Sequence, residues 1–95
     1  MNELQSMIGE LYSRRGYTSD LFTLVLGLCE EAGEVAKATN TYHNPKYKLS
    51  DHSISNTVEH ELCDVMVYLY CIANSLGIPL DESLYRKLDC ALSDH

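Results

Sequence analysis

The sequence of 95 residues contains no tryptophan, only two prolines and only seven lysine and arginine residues. Fourteen aspartate and glutamate residues bring the formal net charge to −7. A chain this acidic, with no basic stripe, binds nucleic acid and anionic membranes poorly. It also lacks an apolar run of the roughly 18–20 residues that cross a bilayer, and an N-terminal secretory pattern. We therefore expect no nucleic-acid or membrane partner and no secretion.

The four cysteines form no C-x-x-C pair, and each falls among apolar neighbours in a helix-like segment. Disulfides are rare in reducing compartments, and free cysteines are usually buried. The pattern therefore predicts buried free thiols in a cytoplasmic protein. The residues are Cys29, Cys63, Cys71 and Cys90.

Apolar residues recur at helical spacing in four segments, and no alternation typical of a β-strand is present. Residues 41–55 lack this periodicity and include Pro45, which predicts a loop. A chain of this length has room for one domain, spanning residues 1–95. The expected fold is all-α, a bundle of about four helices at about 2–15, 20–40, 56–76 and 81–92.

Residues with defined capping preferences set these boundaries. A short polar side chain accepts hydrogen bonds from the free N–H groups of a first helical turn, and glycine readily ends a helix. Pro79 prevents the third helix from continuing. The second helix is predicted to start at Thr18, Ser19 or Asp20, and the fourth at Asp81. The third helix is predicted to start at Asn56, with Glu59 completing a capping box. Gly16 and Gly77 are predicted to end the first and third helices.

The two long helices carry more apolar surface than four short helices can cover. Leu21–Cys29 is apolar nearly all round, and such a helix is buried on most faces. The other long helix has one apolar stripe, and antiparallel pairing of the two would form the centre of a bundle. The sequence therefore predicts a homo-oligomer. The second stripe is Val58, Leu62, Val65, Leu69, Ile72 and Leu76.

Two acidic pairs lie beside these apolar stripes. Glu31 and Glu34 are three residues apart, as are Glu61 and Asp64 on the next long helix. Like charges at this spacing repel, and partial burial raises the pKa of a carboxylate, so a divalent cation would relieve both conflicts. Oxygen ligands favour Mg²⁺ or Mn²⁺. The alternative is a solvated acidic face, which is common on helices.

Other metal chemistries fit the sequence less well. Cys29 and Cys63 point well over 100° away from Glu31 and Glu61 on their helices, which excludes them as ligands. A di-iron bundle would use Glu-x-x-His, and none of the four histidines has glutamate three residues earlier.

The acidic residues also carry a family resemblance. EEAGE at Glu30–Glu34, ELCD at Glu61–Asp64 and the following VMVYLYCIANSLGI resemble the MazG-like branch of the all-α nucleoside triphosphate pyrophosphohydrolases. That family's motif is EExxE, a variable spacer and ExxD. The resemblance covers about Leu21 to Asp89.

The resemblance implies a bundle that assembles as a homodimer or homotetramer. It also implies Mg²⁺-dependent cleavage of a nucleoside triphosphate between its α- and β-phosphates, with a house-cleaning role. Glu31, Glu34, Glu61 and Asp64 match the metal-binding acids. Glu30 matches the leading glutamate, which holds a second metal or activates water.

Two residues are candidates for contact with the substrate. Lys87 matches a family lysine, although Ala91 replaces the asparagine expected four residues later. Tyr68 lies on the same helix face as Asp64, where it either binds the nucleotide or is a core tyrosine. Two other functions stay open: phosphoribosyl-ATP pyrophosphohydrolase, which shares the acidic motif, and a catalytically inactive helical dimerisation or regulatory module.

Overall fold

A computed structural model describes residues 2–17, 20–43 and 51–94, with side chains for 2–17, 20–40 and 57–94. These residues form four α-helices and no strand, which confirms the predicted all-α class. The helices are α1 (Glu3–Arg14), α2 (Leu21–His43), α3 (Asp51–Leu76) and α4 (Leu80–Ser93).

Both glycines predicted to end helices have the left-handed backbone that ends a helix. Gly16 has φ 67° and Gly77 has φ 68°, a region that side chains disfavour. After α3, the N–H of Ile78 donates to the carbonyl of Ala73 at 2.8 Å, and the N–H of Gly77 donates to that of Asn74 at 3.2 Å. This pair of bonds is a Schellman motif, which satisfies carbonyls left free at the helix end.

Asp20 caps α2, as predicted. Its carboxylate accepts hydrogen bonds from the backbone N–H of Thr23 at 3.0 Å and from the Thr23 hydroxyl at 2.8 Å. These two hydrogen bonds hold the pKa of Asp20 below its usual value. The other two candidate caps, Thr18 and Ser19, lie outside the described residues.

The prediction of a loop over residues 41–55 is wrong at both ends. α2 continues to His43, and α3 begins at Asp51, five residues before the predicted start at Asn56. Once a helix is nucleated, each further residue adds a hydrogen bond at little cost, so polar residues without apolar periodicity can extend it. The capping-box interpretation of Asn56 and Glu59 is therefore also wrong.

The predicted cap of α4 is also wrong. α4 follows Pro79, which makes no side-chain capping bond, and Asp81 lies inside the first turn. A carboxylate there still interacts favourably with the helix dipole. The Asp81 carboxylate instead accepts hydrogen bonds from the Tyr70 hydroxyl at 2.7 Å and from the side-chain amide of Asn2.

α2 and α3 pack antiparallel along most of their length. Gly27 lies against Tyr68, and Leu24, three residues earlier on α2, shares a cavity wall with Cys71, three residues later on α3. Residue numbers therefore increase along α2 in the direction in which they decrease along α3. This confirms the predicted antiparallel pair of long helices, and Leu24, Tyr70 and Ala73 are buried in the core beside it.

The side chain of Gln5 joins three helices and is fully buried. Its amide nitrogen donates to the carbonyl of Ile78 at 2.7 Å and to Asn74 Oδ1 at 3.1 Å, and its oxygen accepts from the N–H of Leu80 at 3.1 Å. The Asn74 amide donates back to the carbonyl of Gln5 at 3.1 Å. α1 is thereby held against the end of α3 and the start of α4.

Much of the predicted apolar stripe of α3 is uncovered in the single chain. Leu62, Leu69 and Leu76 are 49%, 40% and 53% exposed. α4 cannot cover them in the way a fourth bundle helix would, because it turns away from α3 by 100°.

The prediction of buried cysteines is wrong for Cys29, Cys63 and Cys90, which are exposed, while Cys71 is half-buried. An apolar neighbour in the sequence does not place a residue on the packed face of its helix, and these three thiols lie on faces open to solvent. All four thiols are free, and burial raises the pKa of Cys71.

No single helix among the described residues is long and apolar enough to cross a membrane, although the bent pair Thr57–Leu76 and Leu80–Ser93 together reaches that length and composition.

Replacing Gln5 with alanine should lower the free energy of unfolding by about 1–3 kcal/mol, because the carbonyl of Ile78 and the N–H of Leu80 lose their partner in a partly buried position. Urea denaturation followed by circular dichroism measures the change. The matched control is Ser6→Ala at the exposed neighbouring position, which should shift stability by less than about 0.5 kcal/mol. Equal stability of the two variants would contradict this role for Gln5.

Candidate metal centre

The antiparallel register brings the two acidic pairs together. One helical turn after the Gly27–Tyr68 contact, Glu31 on α2 lies opposite Asp64 on α3, and the same register places Glu34 opposite Glu61. Glu31, Glu61 and Asp64 are half-buried, while Glu34 is exposed. Four acids predicted from sequence spacing therefore lie at one level of the helix pair.

The electrostatics of Glu31 show how crowded this level is. Burial raises the pKa of Glu31, and the negative charges of Asp64 and Glu61 across the helix contact raise it further. Glu30 and Glu34 on the same helix add smaller effects in the same direction. Each influence disfavours the ionised form of Glu31, so a nearby positive charge would stabilise it.

His60 belongs to the same group, although the acidic motif does not include it. Side-chain donor atoms of His60, Glu61 and Asp64 lie within 4.8 Å of one another, and His60 Nε2 is 3.4 Å from Asp64 Oδ2. The Glu-x-x-His spacing of di-iron proteins does not detect His60, because the residue three positions earlier is Thr57. The signal that could have found His60 is its position four residues before Asp64, which places both side chains on one helix face.

The residues present fit a divalent cation. Three half-buried carboxylates supply the oxygen donors that Mg²⁺ and Mn²⁺ prefer. A bound cation would also remove the repulsion that raises the pKa of Glu31. Glu31, Glu61 and Asp64 would hold it, with Glu34 at the exposed end of the group.

Tyr68 packs over the α2 backbone one turn from the acids. A Cβ atom at Gly27 would lie 2.3 Å from Cε1 of the Tyr68 ring, so only glycine permits this contact. Tyr68 also lines a cavity of about 340 Å³. A cavity of this size can accept part of a small ligand. Its other lining residues are Tyr12, Arg15, Tyr17, Thr23 and Leu24.

Sequence spacing alone does not predict that residues of α1 line the same cavity as Tyr68. Tyr12 and Arg15 reach it only because α1 packs against α3. The rings of Tyr12 and Tyr17 are 4.9 Å apart and tilted by 50°. Burial raises the pKa of Tyr12.

Lys87 is not brought to the acids within one chain. It is exposed on α4, which begins beyond the end of α3 and turns away by 100°. Asp64 lies twelve residues before Leu76 on α3, about 18 Å along the helix axis. Tyr68 and Lys87 therefore occupy different parts of the single chain.

The sequence model of one family, described as the MazG nucleotide pyrophosphohydrolase domain, matches residues 20–89. The chain belongs to this family. It is also 36% identical over 86 residues to the uncharacterized protein YpjD of Bacillus subtilis strain 168, across 90% of this chain and 74% of that protein. The family match includes both acidic pairs, Tyr68 and Lys87, whereas α1 lies outside it.

Replacing Gly27 with alanine should lower the free energy of unfolding by about 1–3 kcal/mol, because the new methyl group overlaps the Tyr68 ring. Gly33→Ala is the matched control on the same helix: its Cβ meets no described atom within 4 Å, so it should stabilise by about 0.5–1 kcal/mol. Thermal melting of both variants measures the difference. In a protein that also carries Tyr68→Ala, Gly27→Ala should no longer lower the free energy of unfolding. An unchanged loss of stability would contradict the contact.

Proposed function

We propose that this protein hydrolyses nucleoside triphosphates between the α- and β-phosphates, releasing a nucleoside monophosphate and pyrophosphate, and removes unwanted nucleotides in the cytoplasm. The observation that carries the proposal is the antiparallel register that places Glu31 on α2 opposite Glu61 and Asp64 on α3, within a chain that belongs to a nucleotide pyrophosphohydrolase family.

Each acid has a defined task in this reaction. Glu31, Glu34, Glu61 and Asp64 would hold Mg²⁺ or Mn²⁺, which when bound neutralises phosphate charge and lowers the pKa of water. Glu30 is exposed beside the cluster and can accept the proton of the attacking water. The new P–O bond forms as the bond to the leaving phosphate oxygen breaks. Phosphoanhydride hydrolysis depends mainly on positioning and charge neutralisation, which acidic residues and a cation supply.

The cavity beside Tyr68 suits the nucleoside part of the substrate. Tyr68, Tyr12 and Tyr17 offer aromatic faces and hydroxyl groups, and Arg15 adds hydrogen-bond donors. Because Tyr68 is one turn from Asp64, a nucleoside here would place its phosphates toward the acids. This supports the predicted role of Tyr68 in substrate binding.

The exposed apolar faces support assembly as a homodimer or homotetramer. Phe22 and Leu26 on α2 are 72% and 54% exposed, and Leu62 and Met66 on α3 line an open apolar groove. Large exposed apolar surfaces on a small domain are typical of association sites. Lys87 does not reach the acids of its own chain, so a contact with the substrate would require the acids of another subunit to lie close to it.

Incubation with a panel of nucleotides and Mg²⁺ should release pyrophosphate from one or more nucleoside triphosphates. Asp64→Asn and Glu34→Gln should each reduce turnover by more than about 100-fold, because each removes a charged ligand while keeping the shape of the side chain. Glu59→Gln is the control, since Glu59 is exposed outside the cluster and its loss should leave turnover nearly unchanged.

The same panel separates the alternatives. Release of pyrophosphate from phosphoribosyl-ATP alone would identify a phosphoribosyl-ATP pyrophosphohydrolase. No release from any nucleotide would identify an inactive helical module and overturn the proposed activity.

Light scattering at micromolar concentration should give at least twice the 10.7 kDa mass of one chain. Phe22→Glu with Leu62→Glu should shift the protein toward the monomer, because each introduces a charge into an exposed apolar face. Ser6→Glu, at an exposed polar position, is the control and should leave the mass unchanged. A monomeric parent protein would contradict the prediction.

A further inference from the structure

We propose that His60 is a nitrogen ligand of the cation held by Asp64, so that the site binds a transition-metal ion such as Mn²⁺ through mixed nitrogen and oxygen donors. The inference rests on the proposed function only in requiring a cation at the acidic cluster. It adds a ligand from outside the acidic motif and predicts which ions bind best.

The separation of the two donor atoms suits a shared ion. Two ligands about 2.1 Å from one metal, at an angle between 90° and 110°, are about 3.0–3.4 Å apart. His60 Nε2 and Asp64 Oδ2 are 3.4 Å apart. An ion can therefore fit between them with little movement of either side chain.

The helix itself arranges this pair of ligands. His60 and Asp64 are four residues apart and differ by only about 40° around α3, while Glu61 lies about 60° beyond Asp64. Asp64 is therefore the middle donor, with His60 on its exposed side and Glu61 toward α2. The i, i+4 spacing, with a glutamate after the first ligand, is also how helices in metalloproteases present two zinc ligands.

A purely structural role explains His60 less well. Charge-assisted N–H···O bonds are about 2.7–2.9 Å long, shorter than the 3.4 Å separation observed. The His60 side chain is also 74% exposed, and an exposed ion pair of this kind adds little stability. Exposure is no obstacle for a metal ligand at the open edge of a site, where a phosphate group must arrive from solvent.

A nitrogen ligand has a chemical consequence. Imidazole is a preferred ligand of Zn²⁺, Fe²⁺, Ni²⁺ and Cu²⁺, and Mn²⁺, although it favours oxygen ligands, accepts an imidazole more readily than Mg²⁺, which keeps several waters. His60 should therefore strengthen Mn²⁺ binding much more than Mg²⁺ binding. The negative charges of Glu31, Glu61 and Asp64 would attract either ion.

The test loads the full-length protein with Mn²⁺ alone, without nucleotide, and measures nitrogen coupling to the ion by pulsed electron paramagnetic resonance. Two variants identify which histidine binds the ion. His60→Gln removes the proposed ligand, and the triple variant His43→Gln, His52→Gln, His95→Gln keeps only His60. We expect nitrogen coupling in the parent protein and the triple variant, and none in His60→Gln. Titration calorimetry should show Mn²⁺ affinity at least about 10-fold weaker in His60→Gln, with a smaller change for Mg²⁺.

The outcomes separate the two proposals. Bound Mn²⁺ without nitrogen coupling, or coupling that persists in His60→Gln, would overturn the role of His60 and leave the hydrolase proposal standing. Coupling from His60 in a protein that releases no pyrophosphate from any nucleotide would support the ligand and overturn the hydrolase. Absence of any bound Mn²⁺ at millimolar concentration would overturn both.

Discussion

The close contact between the Tyr68 ring and the backbone of Gly27 fixes the register on which the candidate site depends. Antiparallel helices can slide by one turn, about 5.4 Å, without losing all their apolar contacts. Such a slide would move Glu31 away from Asp64 and separate the two acidic pairs. Because a Cβ at Gly27 would overlap the ring, this contact forms only where the two backbones approach closely. The arrangement of the acids therefore follows from a glycine that carries no chemistry itself.

A second constraint positions the other wall of the Tyr68 cavity. Gln5 is buried and uses both ends of its amide to hold α1 against the end of α3 and the start of α4. That attachment lets Tyr12 and Arg15 reach the cavity that Tyr68 also lines. Glutamine suits the position because it donates and accepts at once without a charge that would need a buried partner.

The sequence predicts the elements better than their contacts. Helical periodicity and the glycines at positions 16 and 77 are local signals, and they identify four helices and two helix ends correctly. The start of α3 is missed because helix extension through polar residues leaves no apolar pattern. The acidic pairs are visible because their spacing repeats. His60 and Gln5 are not, since a single polar residue shows its role only once its neighbours in space are known.

Two features of α2 and α3 are unfavourable in the single chain. Burial and the neighbouring acids together raise the pKa of Glu31, and the same helices expose large apolar side chains such as Phe22 and Leu62. A bound cation would reduce the repulsion between the acids, and a partner chain would cover the exposed apolar side chains. Leu62 points about 100° away from Glu61 and about 160° away from Asp64 around α3, so a partner that covers Leu62 packs on a different face of the helix from those carboxylates. One helix can therefore offer an apolar face to a second chain and leave the acids open to a cation and its ligands.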